Sequence, residues 1–240
     1  MPATQAKTTD RPEYTLLPFT SAEAPSKASP ANTTEPSDQK WISTNDALSA
    51  QLWRTVMAVQ WPLENQDGDL ISTFNIAIDG RQRTDPKVYP HTMGCFLEYV
   101  AIKALVRKML EHLNIADLAG FFRKAIHKAD KRSMDDVATL IKKTEDVDRL
   151  LPTAFLDVPS FNCVQTSLLR FELYGIDWGS LLGQNIDAMR VPHVGTINGL
   201  QVVLPVLPSG GTEVMVGVEK SLLERLLNDH PLFTKNGAAR

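Results

Sequence analysis

The sequence predicts a mixed α/β (α+β) fold in which a largely antiparallel sheet is flanked by helices. Two stretches, 44–59 and 115–128, repeat apolar residues at helical spacing. Apolar runs of strand length occupy 70–78 and 95–104. A further pair of such runs surrounds the turn at 208–211, which indicates a hairpin. With 240 residues, 43% of them hydrophobic, the chain is long enough to bury a sizeable core.

Charge and composition exclude several classes of partner. The net charge of −3 gives no bulk electrostatic reason to expect nucleic acid. No apolar run approaches the roughly 20 residues of a membrane helix, and the N-terminus lacks the apolar segment of a signal peptide. The two cysteines, Cys95 and Cys163, lie far apart, which argues against a disulfide scaffold and suits a reducing compartment. We therefore expect a cytoplasmic protein without a membrane or nucleic-acid partner.

The N-terminal segment differs in composition from the rest of the chain. Residues 1–40 are rich in Pro, Ser, Thr and Ala, so we expect a flexible linker or crossover segment. A short apolar patch at 14–19 could anchor part of it. The domain itself is expected over 41–235, with a tail at 236–240.

The first helix is expected to begin after Ser43, because Ser43 and Asp46 have the spacing of a capping box. Pro62 should end it. Its expected buried face comprises Leu48, Leu52, Val56 and Val59.

The middle of the chain alternates strands and helices. A strand over 70–78 should lead into a turn, and a second strand is expected over 95–104. The stretch 106–113 is ambiguous, whereas 115–128 has a clear helical pattern. Ser133 and Asp136 resemble another capping box, which would open a helix reaching about residue 143.

The last third of the chain is expected to complete the sheet. Residues 162–174 are expected to form a strand, interrupted by the polar residues Gln165, Thr166 and Ser167. The hairpin over 200–218 follows after a long connection, and a short amphipathic helix over 220–228 closes the fold.

Asp177 is the most unusual charged residue, because apolar residues flank it on both sides. A buried carboxylate needs a cation or several hydrogen-bond donors. The most suggestive cations lie in the compact run Asp79–Arg83. The central structural hypothesis is therefore that Asp177 pairs with Arg81, or with Arg83, across the core.

Common catalytic motifs are absent: the sequence has no HExxH, CxxC, GxxxxGK[ST] or GxSxG. His127 and Asp130 could form a catalytic pair, but the surrounding lysines and arginines favour a solvated basic face. His193 could act as a base in a cleft, although an ordinary surface histidine fits its loop better. Gly210 and Gly211 indicate a hairpin turn rather than a phosphate cradle, since no helix follows them.

Several of these segments together resemble one family. Residues 42–54 are similar to the segment that opens the C-terminal domain of BAHD-type acyl-CoA-dependent acyltransferases, in the fungal trichothecene 3-O-acetyltransferase-like branch. The run Asp79–Arg83 resembles the family's D-G-R-x-R strand end. Thr166 and Ser167 with Arg170 resemble its T/S-S-W-x-R strand. Residues 174–179 resemble its D-F-G-W-G motif, with Trp178 where Phe is usual. The resemblance covers about 41–235.

The resemblance implies a chloramphenicol-acetyltransferase-like domain, one of two that enclose a channel for acyl-CoA and an alcohol acceptor. It implies that Thr166 and Ser167 line this channel. It also implies that Asp177 and Gly179, with Arg81 and Arg83, form a structural motif. The family's general base is the His of an H-x-x-x-D motif in the N-terminal half, and no His in this sequence has Asp four residues later. We therefore expect no catalytic residue and no metal ligand here.

Three functions remain open. The first is an acyltransferase of secondary metabolism that moves an acyl group, by resemblance acetyl, from acyl-CoA to a hydroxyl of a small natural product such as a mycotoxin. Acyl-CoA would be its co-substrate, with no bound cofactor. The second is a catalytically incomplete half-enzyme or binding module that needs a separate N-terminal half carrying H-x-x-x-D. The third is an unrelated α/β binding protein, which the absence of an Arg81–Asp177 contact would favour.

Overall fold

The computed structural model describes residues 42–62, 70–152, 154, 162–190 and 197–229, together with the backbone of 14–21. Over these residues the chain folds as a mixed α/β structure with one six-stranded sheet, in the order β1-β6-β5-β4-β2-β3. The strands are β1 (Tyr14–Ser21), β2 (Ile71–Asp79), β3 (Leu97–Leu105), β4 (Cys163–Ser167), β5 (Leu200–Val206) and β6 (Thr212–Glu219).

The sheet is mixed, with antiparallel pairs in the majority. Strand β4 runs parallel to both of its neighbours, β2 and β5. The remaining pairs, β1–β6, β2–β3 and β5–β6, are antiparallel. This confirms the expected fold class and the hairpin over 200–218.

Helices pack on the sheet. They are α1 (Thr44–Gln60), α2 (Val106–Glu111), α3 (Ile115–Lys128), α4 (Lys131–Lys143) and α5 (Leu223–Asp229). The ambiguous stretch 106–113 is thus mainly the helix α2. Within the described ranges, no helix has the length and hydropathy to cross a bilayer.

Three aromatic rings hold α1 and α3 against β2. The ring centroid of Trp53 lies 5.4 Å from that of Phe74 and 5.8 Å from that of Phe122, and Phe74 and Phe122 are 4.8 Å apart. The indole Nε1 of Trp53 donates a hydrogen bond of 2.8 Å to Ser72 Oγ, so its polar atom is satisfied in the core. The expected buried face of α1 is confirmed: Leu48, Leu52, Val56 and Val59 are all buried.

The start of α1 is fixed by the capping box that the sequence predicts. Ser43 Oγ accepts from the Asp46 backbone N–H at 3.2 Å, and Asp46 Oδ2 accepts from the Ser43 N–H at 2.8 Å. Asp46 also forms a 3.1 Å ion pair with Arg123 Nε on α3. The cap therefore joins two helices as well as starting one.

Two element boundaries differ from the prediction. Helix α4 begins three residues earlier than expected, because Asp130 rather than Ser133 is its N-cap and accepts from the Ser133 N–H at 3.2 Å. The Ser133–Asp136 capping box is therefore wrong. Strand β4 ends at Ser167, where the chain turns with a hydrogen bond of 2.9 Å from Phe171 N to Leu168 O. The long strand predicted over 162–174 is wrong for this reason.

The apolar patch near the N-terminus is part of the sheet. Strand β1 pairs antiparallel with β6, which confirms that the patch is anchored. The rest of 1–40 and the tail 236–240 lie outside the described residues. The division of the chain at residue 40 stays a prediction.

Candidate functional site

The two predicted channel residues lie at the carboxyl end of β4, in the middle of the sheet. Thr166 is in register with Val202 of the parallel strand β5, and Ser167 with Val203. Both residues are half-buried. The carboxyl ends of adjacent parallel strands are a common place for ligand sites in such sheets.

Thr166 and Ser167 face opposite sides of the sheet, because successive side chains of a strand alternate. Ser167 Oγ donates a hydrogen bond of 2.8 Å to Asn45 Oδ1, in the first turn of α1. Thr166 therefore faces away from α1, on the side where Val202 and Leu204 form a small apolar cluster with Met215. Thr166 is thus half-buried on that side, while the Ser167 hydroxyl is already engaged with α1.

A row of buried polar side chains lies between α1 and the centre of the sheet. Ser49 Oγ donates to Gln165 Oε1 at 2.6 Å, and Gln165 Nε2 donates to Gln201 Oε1 at 3.1 Å. Gln165 and Gln201 are register partners on β4 and β5. A one-residue slip of β4 would break this row and would also exchange the faces of Thr166 and Ser167. The sequence predicts Gln165 only as a polar interruption of a strand, because its partners lie on separate elements.

Cys163 lies beside this row and is fully buried. Burial raises the pKa of its thiol from 9.0 to about 12, although a hydrogen bond with Gln201 partly opposes this. The thiol therefore keeps its proton at neutral pH and is not a nucleophile.

Arg81 holds the loop between β2 and β3. It forms a 3.0 Å ion pair with Asp79 and donates to Gly94 O at 2.8 Å and Thr92 O at 3.3 Å. Its guanidinium lies 4.8 Å from the ring centroid of Phe96, within the range of a cation–π contact.

Arg83 caps the end of α3. Its Nη1 donates to Ile126 O at 2.8 Å and also to Ala129 O. Carbonyls at a helix C-terminus lack intrahelical partners and attract a cation. Gly80 lies between the end of β2 and the turn that carries both arginines. It packs closely on α4, because a Cβ at this position would lie 2.6 Å from Met134 Sδ.

The hypothesis that Asp177 pairs with Arg81 or Arg83 is wrong. Among the described residues, both guanidinium groups are bound to the partners given above. Asp177 is exposed, and its Oδ1 accepts from the Gly179 N–H at 2.8 Å. Its apolar neighbours are exposed as well, so the carboxylate stays hydrated and needs no cation. Asp177 and Gly179 instead shape a local turn, in which Gly179 adopts φ = 81°.

The histidines offer no candidate base in the described part of the chain. His91, His112 and His127 are all exposed. Asp130, the suggested partner of His127, is used as the N-cap of α4. His193 lies outside the described residues. Within the described ranges, no group of three His, Cys, Asp or Glu side chains could hold a metal ion.

A groove of about 450 Å³ lies between the edge strand β3 and the helices α3 and α4, away from Thr166. Its cationic lining residues are Lys103, Lys124 and Lys128. None of the residues predicted to line a channel or form the structural motif contributes to it.

Comparison with known proteins gives a family match over nearly all of the described chain. A family model described as "Transferase family" matches residues 14–229. Acetyltransferase FGR3 of Gibberella zeae is 25% identical over 208 residues, which cover 81% of this chain and 41% of that protein. The enoyl-CoA isomerase/hydratase claC of Penicillium crustosum is 26% identical, but only 22% of its length is matched.

Solved structures show the same fold. The F. graminearum TRI101 complex with ethyl coenzyme A aligns with a TM-score of 0.78 and 24% identity, covering 92% of this chain and 49% of that one. The F. sporotrichioides TRI101 complex with coenzyme A and T-2 aligns with a TM-score of 0.77 and 21% identity, covering 94% and 51%. The chain thus spans about half the length of these structures, and less than half of the curated relatives.

Proposed function

Because the chain belongs to the transferase family, of the BAHD acyl-CoA-dependent type, we propose that it serves in the transfer of an acyl group from acyl-CoA to a hydroxyl of a small natural product. The match over residues 14–229 carries this proposal. The same match excludes the third candidate function, an unrelated α/β binding protein, even though the Arg81–Asp177 contact is absent.

The relatives support acetyl-CoA as the acyl donor and a fungal secondary metabolite as the acceptor. FGR3 is described as an acetyltransferase, and the matched TRI101 structure contains coenzyme A and T-2. We extend these properties to this chain as a proposal: acetyl-CoA is a co-substrate, with no resident cofactor, and the acceptor is an alcohol. The free thiols of Cys95 and Cys163 suit a cytoplasmic location.

Thr166 is the residue that we assign to the acyl-CoA channel. Its half-buried hydroxyl lies at the carboxyl end of β4, on the side of the sheet away from α1. There it could donate a hydrogen bond to the thioester oxygen, which gains negative charge as the alcohol attacks. Ser167, held by Asn45, would position the strand end rather than touch the ligand.

The described residues include no candidate general base. An alcohol must lose its proton as it attacks a thioester, and a positioned imidazole commonly takes it. The described histidines are exposed, no His in the sequence has Asp four residues later, and Cys163 is protonated. These observations favour the second candidate function, a catalytically incomplete half that requires a separate N-terminal half carrying H-x-x-x-D.

An acetyl-transfer assay of the purified chain tests the proposal. Free CoA release from acetyl-CoA would be followed with a panel of alcohols, including trichothecene alcohols. We expect a rate lower by about 10²–10⁴ than that of FGR3 assayed in parallel, because no His of this sequence stands in an H-x-x-x-D motif. Turnover at the relative's rate would contradict the incomplete-half reading. Activity restored by adding an H-x-x-x-D-bearing half would support it.

A further inference from the structure

The edge strand β3 leaves one side of its backbone open in the described part of the chain, where its neighbour in the sheet is β2. Just beyond the two ends of the β2–β3 pair, Val106 N donates to Leu70 O at 2.9 Å and Gly80 N donates to Phe96 O at 2.7 Å. Hydrogen-bonded and non-hydrogen-bonded pairs alternate along antiparallel strands, so the even-numbered residues of β3 bond to β2. The odd-numbered residues therefore direct their backbone N–H and C=O groups away from β2.

This open edge forms one wall of the groove described above. Residues 98–103 of β3 line the groove, and Lys124 and Lys128 of α3 line its other side. Ala101 and Lys103 are odd-numbered positions of this stretch, and among the described residues no backbone hydrogen bond outside the β2–β3 pair involves them. At about 3.3 Å per residue, the open stretch is about 20 Å long. Such a groove fits an extended peptide, which can add to the sheet as a further strand.

The charges of the groove select the kind of peptide. Lys103, Lys124 and Lys128 are exposed, and the ion pairs found among the described residues use other cations. Glu98, the acidic residue of the lining, already accepts a hydrogen bond of 2.6 Å from Ser133 Oγ. The groove thus carries a net positive charge, which attracts carboxylates and repels a basic strand.

We propose that the groove along β3 binds an extended acidic peptide of a partner protein, which pairs with the open backbone edge of the strand. Ile102 belongs to the core cluster with Phe122 of α3, so the even-numbered side chains of β3 face the helices. The odd-numbered ones, including Lys103, lie on the opposite face of the sheet. Alternate side chains of the added strand therefore meet Lys124 and Lys128, and the others lie beside Lys103. Opposite charges on neighbouring strands stabilise such pairing.

A peptide fits this groove better than other anions do. A nucleic acid would also be attracted to the lysines, but it has no N–H and C=O groups at strand spacing to pair with the open edge. Lysines on an edge strand protect it against unwanted pairing, and this protection is weakest against an acidic strand. The inference goes beyond acyl transfer and does not depend on it, because Thr166 and Ser167 do not line the groove.

Fluorescence anisotropy of the full-length protein with labelled synthetic peptides tests the charge requirement. The acidic probe alternates glutamate and valine over about eight residues, enough to span 98–103, and a basic peptide alternates lysine and valine. The main variant combines Lys124→Glu with Lys128→Glu. The matched control combines Lys142→Glu with Lys143→Glu, which changes the net charge equally on α4, outside the groove. We expect saturable binding of the acidic probe, unchanged in the control and weakened about 10-fold or more in the main variant.

Methylation of the backbone nitrogens of the acidic probe tests strand addition. Successive N–H groups of a strand point to opposite edges, so an added strand uses only alternate N–H groups to bond to β3. We expect methylation of either the glutamate or the valine nitrogens to weaken binding about 10-fold, while methylation of the other set leaves binding unchanged. Ala101→Pro removes one outward N–H of β3, a change that edge strands tolerate, and should also weaken binding.

Circular dichroism confirms that each variant is folded. Lys103→Glu replaces the main variant if that protein does not fold, and the methylated peptides test the backbone pairing without any change to the protein. Absence of saturable binding by the acidic probe would overturn the proposal. So would equal affinity for the acidic and basic peptides, equal weakening by the control substitutions, or equal affinity for the two methylated peptides.

Discussion

Thr166 and Ser167 are adjacent in the chain but have different surroundings. The Ser167 hydroxyl donates a hydrogen bond to Asn45 of α1, whereas Thr166 faces the other side of the sheet. Both residues belong to the same sequence motif, but successive side chains of a strand point to opposite faces of the sheet, so the two hydroxyls have different neighbours. Removing the Thr166 hydroxyl should therefore affect ligand binding, and removing the Ser167 hydroxyl should affect stability.

Thr166→Val should weaken acetyl-CoA binding about 10-fold with little change in stability, because the donor to the thioester oxygen is replaced by a methyl group of similar size. Ser167→Ala is the matched control and should lower the free energy of unfolding by about 1 kcal/mol while acetyl-CoA binding is kept. Calorimetric titration with acetyl-CoA and urea unfolding measure the two effects. Equal acetyl-CoA affinity in Thr166→Val and wild type would contradict the assignment of Thr166 to the channel.

Cys163 should make stability depend on pH in the alkaline range. The folded thiol keeps its proton to about pH 12, whereas the pKa of an ordinary thiol is 9.0. Between these values the unfolded chain binds fewer protons than the folded chain, so stability falls as pH rises through that window. Below pH 9 the thiol is protonated in both states and contributes no pH dependence.

Comparison of wild type with Cys163→Ala isolates this contribution from those of other alkaline groups. We expect the variant to lose less stability than wild type between about pH 9 and pH 11 in guanidinium unfolding. If the free energy of unfolding depended on pH equally in wild type and Cys163→Ala, burial would not raise the pKa of this thiol.

The helices α1 and α3 begin with capping boxes of the same type but different burial. Asp46 of α1 is 2% exposed and forms an ion pair with Arg123 in addition to its cap bond. Asp117 of α3 makes the equivalent cap bond to Asn114, at 3.2 Å, near the surface. Substitution of Asp117 therefore removes a helix cap alone, whereas substitution of Asp46 removes a cap that also links two helices.

Asp46→Ala should lower the free energy of unfolding by about 3 kcal/mol, because it removes a buried charge partner as well as a cap bond. Asp117→Ala should cost about 1 kcal/mol, the usual contribution of a cap. Urea unfolding of both variants gives the difference. Equal losses would mean that the Asp46–Arg123 pair contributes nothing beyond capping.

The elements that could be predicted from sequence are those with strong local signals. The start of α1 follows from its capping box, and the bounds of α3 follow from its apolar periodicity. The length of β4 could not be predicted, because apolar residues after Ser167 normally indicate a buried strand, and in this chain none of those at 168–176 is fully buried. The start of α4 was misplaced for a related reason: Asp130 and Ser133 are both acceptable caps, and only the structure shows which is used.

The site was less predictable than the fold, because contacts across the chain depend on the assembled sheet. Arg81 and Asp177 looked complementary, yet Arg81 is held by Asp79, Thr92 and Gly94. The Ser49–Gln165–Gln201 row joins three separate elements and has no local sequence signature. Family motifs identified the important positions here without identifying their partners.

At the scale of the whole molecule, the described residues form one six-stranded sheet with a packed core, and the chain has about half the length of the solved structures that it matches. Its family membership does not depend on a base within the described residues. An acyl-CoA site on this fold would give the chain a role in acyl transfer, alone or with a companion half. Acyl-CoA binding is therefore the property on which the whole account depends.

Isothermal titration of the purified full-length chain with coenzyme A is the most direct measurement. The account predicts saturable binding with one CoA per chain, together with a rise in the unfolding temperature as CoA is added, since the ligand binds only the folded state. Titration with adenine alone provides the control for nonspecific association. A folded chain that shows neither heat of binding nor a thermal shift with CoA would contradict the account.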